Sequence, residues 1–90
     1  MKKITLTEFW NSKDTLVIHC DTEEKANELL KAFDKLGKTW CDNTSYLSSN
    51  EYYFYKDETC YSNQGSYAER DYFKKCLCKI YEFNEVDLEN

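Results

Sequence analysis

Five apolar residues at helical spacing, Ala26, Leu29, Leu30, Phe33 and Leu36, constrain this chain more than any other feature. Steps of three and four put them on one face of a helix, expected over residues 22–36. Asp21 is a candidate cap, with Glu24 three residues on for the reciprocal bond. Asp21, Glu23 and Glu24 lie at the positive end of the helix dipole; Lys31, Lys35 and Lys38 lie near the negative end. Gly37 follows the last apolar position, where a left-handed closing residue is wanted. A single such helix has to bury its stripe against another layer.

The other segments supply that layer. Thr5 and Glu8 have capping-box spacing, and Leu6, Phe9 and Trp10 share a face, so a short helix is expected over residues 5–13. Residues 16–20, Leu-Val-Ile-His-Cys, read as a buried strand. Further strands are expected at 38–41, 46–47, 52–61 and 76–83, with one or two helical turns at 68–75. The chain has no proline and two glycines, so its turns fall to Asn, Asp and Ser clusters such as 42–45, 48–50 and 62–66. The expected fold is α+β: a two-layer domain with one long helix on a mainly antiparallel sheet of about four strands, plus a short N-terminal helix. Ninety residues suit one domain, 1–90, with an acidic tail at 85–90 that is expected to fray.

Charge narrows the partners. The formal net charge is −5, which deprives the chain of the phosphate-neutralising contribution that dominates nucleic-acid affinity. It suits a basic macromolecular surface instead. No stretch is long and apolar enough to span a membrane, and the start, Met1-Lys2-Lys3, has no apolar segment behind it. A cytoplasmic location with reduced cysteines is expected, and five is an odd number for a disulfide framework.

Catalytic chemistry finds little to work with. The one histidine, His19, lies in a strand, and its neighbour Cys20 points to the opposite face. No glycine-rich phosphate loop is present. The chain is expected not to be an enzyme. The cysteines offer a metal site: Cys76 and Cys78 face the same way along a strand, and Cys41 and Cys60 could complete a zinc tetrahedron, with His19 or Cys20 as alternates. The same residues also serve as small buried hydrophobes.

All eight tyrosines fall between Tyr46 and Tyr81. Tyrosine combines a large contact area with a polar tip and is enriched at interfaces. That half of the chain carries Lys56, Arg70, Lys74, Lys75 and Lys79 against Glu51, Asp57, Glu58, Glu69 and Asp71, which leaves no basic groove for nucleic acid. Candidate partner-binding residues are Tyr52, Tyr53, Tyr55, Glu51, Asp57 and Glu58.

The string from His19 through Leu30, the Gly37 to Trp40-Cys41 step, Thr59-Cys60-Tyr61 and the closing Lys79-Ile80-Tyr81-Glu82-Phe83 resemble small proteins encoded by phages and prophages of Gram-positive bacteria. Some small acidic proteins of this origin are anti-CRISPR proteins that block Cas9. The resemblance implies a counter-defence protein, expected as a monomer in the bacterial host cytoplasm, that binds a defence nuclease, Cas9, and prevents target-DNA engagement. At least one Cas9 inhibitor of similar size is a metalloprotein, in keeping with the zinc expectation. The alternative is a phage protein that sequesters a signalling nucleotide, which needs a pocket with converging basic and aromatic groups.

Overall fold

The computed structural model describes residues 3–88; Met1, Lys2, Glu89 and Asn90 lie outside them. The chain opens with β1 (Ile4–Thr5) and α1 (Leu6–Asn11). Thr5 and Glu8 form the expected capping box, and Leu6 and Phe9 are buried. Next come β2 (Leu16–His19) and α2 (Glu23–Lys35). The cap of α2 is Thr22, whose hydroxyl accepts from the Lys25 amide. Asp21, expected to cap, instead pairs with the Lys25 ammonium at 2.8 Å.

The second half brings α3 (Tyr52–Tyr55), a 3-10 turn at Lys56–Glu58, β3 (Thr59–Ser62), β4 (Tyr67–Glu69), α4 (Arg70–Lys75) and β5 (Lys79–Glu82). A last 3-10 turn at Phe83–Glu85 leads into β6 (Val86–Asp87). The main sheet has the order β4-β3-β2-β5. Strand β2 pairs antiparallel with β3 and parallel with β5, so the sheet is mixed. A separate parallel ribbon joins β1 to β6, pairing Ile4 with Val86. Among the described residues, no helix is long and apolar enough to cross a membrane.

Every residue of β2 is buried because both faces of the sheet are covered. On one face, Leu16, Ile18, Cys20 and Tyr61 join Leu29, Leu30 and Phe33 of α2 and Phe9 of α1. On the other, Val17 and Cys60 pack with Phe73 of α4, and Ala68, Cys78 and Ile80 close round them. The period-two alternation of β2 sorts its residues between these clusters.

Several expectations are corrected. The domain has helix on both sheet faces rather than two layers, because the two helical turns of α4 bury Phe73. The longest helix has thirteen residues and ends before Leu36, which is left 42% exposed. The strand expected at 38–41 is a single bridge from Thr39 to Ser45, and 46–47 is not a strand. Residues 52–58, expected as strand, are helical turns. The strand expected at 76–83 is confined to β5. The tail expected to fray from residue 85 is held through Asp87, with Val86 buried against the core.

Candidate functional site: an aromatic turn beside an acidic cleft

Four aromatic residues in a row, Tyr52-Tyr53-Phe54-Tyr55, cannot all be buried by one helical turn. The turn resolves this by sending Tyr52 inward, where it packs on the main core, and the next three outward. Tyr53 is 66% exposed, Phe54 52% and Tyr55 38%. These rings form one surface: Tyr53 and Phe54 are 4.2 Å apart between centroids, and Phe54 stacks on Tyr67 of β4 at 5.9 Å. Behind Tyr67, its ring meets Trp40 edge to face at 5.7 Å.

The turn is tied down from below. Asn50 reaches α2 through its amide, which donates to Glu23 and to Asn27 at 2.9 Å each. Its side-chain oxygen accepts from the Tyr52 amide, and its carbonyl accepts from the buried Tyr61 hydroxyl. Downstream, the carbonyl of Asp57 receives His19 Nε2 at 2.6 Å. Two non-glycine residues with positive φ bracket the turn, Glu51 at 55° and Lys56 at 49°. Such conformations hold only where surrounding contacts over-determine them, as the Asn50 and His19 tethers do here.

Next to the rings lies a cleft of about 220 Å³, lined by Trp40, Asp42, Glu51, Gly65 and Tyr67 among others. Its floor exists because residue 65 is glycine. A Cβ there would stand 2.6 Å from the Cys41 nitrogen, which donates to the Gly65 carbonyl at 3.0 Å. Asp42 and Glu51 are the charged residues of the lining. Hydrogen bonds from the Thr44 hydroxyl and amide hold the Asp42 carboxyl below the usual carboxylate range, so it is ionised at neutral pH. The Tyr67 hydroxyl is pushed up by burial first and by its hydrogen bond to Glu51 second.

A second polar group sits on the α4 face of the sheet. His19 Nδ1 lies 2.7 Å from Glu82 Oε1, and Arg70 reaches Glu58 at 3.5 Å and Glu82 at 3.9 Å. Both ring nitrogens of His19 are therefore engaged in structural contacts, and the residue is 95% buried (5% exposed).

Of the residues singled out from sequence, Tyr53 and Tyr55 stand on the exposed surface, and half-buried Glu51 lines the neighbouring cleft. Tyr52 instead anchors the turn, Asp57 supplies a carbonyl to His19, and Glu58 pairs with Arg70. Phe54, Tyr67, Trp40 and Asp42 were missed. The unbroken aromatic run was a signal for Phe54; the other three are assembled by topology. The cysteines are dispersed. Cys20 and Cys60 are buried, in clusters on opposite sheet faces. Cys78 packs against the cluster of Val17, Cys60 and Phe73, while Cys41 and Cys76 are exposed. Burial pushes the Cys60 thiol up to about 12 and raises Cys20 further. Among the described residues, no three His, Cys, Asp or Glu side chains form a group that could hold a metal ion.

Set against known proteins, the chain matches no family model, no curated protein and no solved structure.

Proposed function

We propose that this chain is a non-catalytic binding protein that occupies a basic surface of a nucleic-acid-handling partner through its aromatic turn. The observation that carries this reading is the exposed trio Tyr53, Phe54 and Tyr55, held on a turn whose ends are tethered to α2 and β2. Exposed aromatic residues on a pre-ordered backbone lose little entropy on docking, and aromatics dominate interface hot spots. The segment Glu51–Glu58 carries three acidic residues and one lysine. With the net charge of −5, this steers the encounter toward a basic surface and away from nucleic acid.

The resemblance to small phage proteins narrows the partner to a bacterial defence nuclease, Cas9, in the host cytoplasm, with the chain acting as a monomer that keeps target DNA from engaging. The alternative, a signalling nucleotide held in the cleft, gains no support from its lining. The charged side chains there are carboxylates, which repel phosphate, and ~300–1,000 Å³ is usual for a drug-sized ligand.

The test is a pull-down and a target-DNA binding assay with guide-loaded Cas9. A complex whose affinity falls as salt rises, with loss of DNA binding, supports the proposal. No complex and unchanged DNA binding at large molar excess of this chain removes Cas9 as the partner.

A further inference from the structure

The cleft beside the aromatic turn has its own chemistry. Its walls include the rings of Trp40 and Tyr67, and its charged side chains are the carboxylates of Asp42 and Glu51. We propose that this cleft receives one arginine side chain of the protein partner, with the guanidinium stacked on the rings and paired with Asp42 and Glu51. The inference rests on the binding-protein reading and names the group that the partner must present.

Four observations lead to arginine. A volume of about 220 Å³ suits one side chain rather than a cofactor. The charge of the lining is wholly acidic, so the occupant is a cation. Thr44 binds Asp42 through Oδ1, by its amide at 3.0 Å and its hydroxyl at 2.6 Å, which fixes the carboxylate and leaves Oδ2 for a donor. Aromatic walls favour a planar guanidinium, which stacks and donates in a fork, over a compact, strongly hydrated ammonium.

Charge complementarity also links the cleft to the surface already described. Glu51 both lines the cleft and begins the aromatic turn, and Tyr67 both lines the cleft and stacks under Phe54. A basic strand of partner surface lying on the rings would bring its side chain to the cleft mouth.

The experiment is an amide NMR titration of the ¹⁵N-labelled chain with acetyl-Gly-Arg-Gly-amide, the matching lysine peptide and the matching citrulline peptide. Citrulline keeps the shape of arginine and removes its charge. The expected result is saturable shifts at residues 40–44, 51 and 65–67 with the arginine peptide, at least threefold weaker binding of lysine, and none of citrulline. The D42N and E51Q variants keep their hydrogen-bond acceptors for Thr44 and Tyr67 and lose only charge; together they should weaken the arginine peptide at least tenfold with an otherwise unchanged spectrum. No shifts at millimolar arginine peptide, equal response to citrulline, or undiminished binding by the double variant overturns the proposal. Failure with Cas9 alongside binding of the arginine peptide removes the partner and keeps the cleft; the reverse removes the cleft and keeps the partner.

Discussion

His19, the last residue of β2, is joined to Asp57 in the 3-10 turn before β3: the imidazole Nε2 lies 2.6 Å from the Asp57 carbonyl oxygen. The other ring nitrogen faces Glu82 Oε1 at 2.7 Å. A carbonyl oxygen can only accept, so Nε2 is the donor in the Asp57 contact. Long-range ¹H–¹⁵N spectra should show a proton on Nε2 while the aromatic turn is held in place. His19→Leu leaves the Asp57 carbonyl without its donor and should cost roughly 1–3 kcal/mol. A ring protonated on Nδ1 alone, with the turn unchanged, would show that the Asp57 contact is not made.

The face of α2 is tested by Leu30, which is 2% exposed against the core. Leu30→Ala should destabilise by roughly 2–5 kcal/mol through the cavity it leaves. Chemical denaturation reads the change, and a shift near zero would place the buried face elsewhere.

Lys56 has φ 49° and ψ −123°, a conformation that glycine reaches far more easily than lysine. Lys56→Gly relieves that strain and should stabilise the chain by about 1 kcal/mol. A lower melting temperature would mean that the backbone is not held in this conformation.

The thiols should separate by position. At neutral pH, alkylation should reach exposed Cys41 and Cys76 first. Cys78, raised by burial and then by Cys76, should follow, and Cys20 and Cys60 should react only on unfolding, since both are buried and remain protonated. Mass spectrometry of a time course gives the order, and early labelling of Cys60 would contradict it. Zinc binding makes a separate prediction on the same residues: one ion per chain by elemental analysis and a melting temperature lowered by chelator. To hold that ion, Cys41, Cys60, Cys76 and Cys78 would have to gather from three places in the fold. A chain without zinc and indifferent to chelator removes the cofactor.

What could be read from the sequence follows the range of the interactions. The Thr5–Glu8 capping box, the β2 run and the α2 stripe depend on neighbours within one or two turns, so their residue types announce them. The second half is governed by distant partners. Tyr52–Tyr55 has strand-forming composition, yet Asn50 bonding to Glu23 and Asn27, and Tyr52 packing on the core, fold it as a helical turn. Likewise the parallel pairing of β5 with β2 joins residues more than sixty positions apart. The tyrosine enrichment points to Tyr53 and Tyr55, which the fold leaves exposed, but the cleft needs Trp40, Asp42 and Gly65 from two separate loops, and no spacing in the chain connects them.

The central claim is that the exposed rings of the aromatic turn do the binding. Its most direct test compares the unaltered chain with the Y53S/F54S variant for inhibition of target-DNA binding by guide-loaded Cas9. Both residues are more than half exposed, so the melting temperature should hold while affinity falls at least tenfold. Full inhibition by a variant that is folded and lacks both rings would contradict the account.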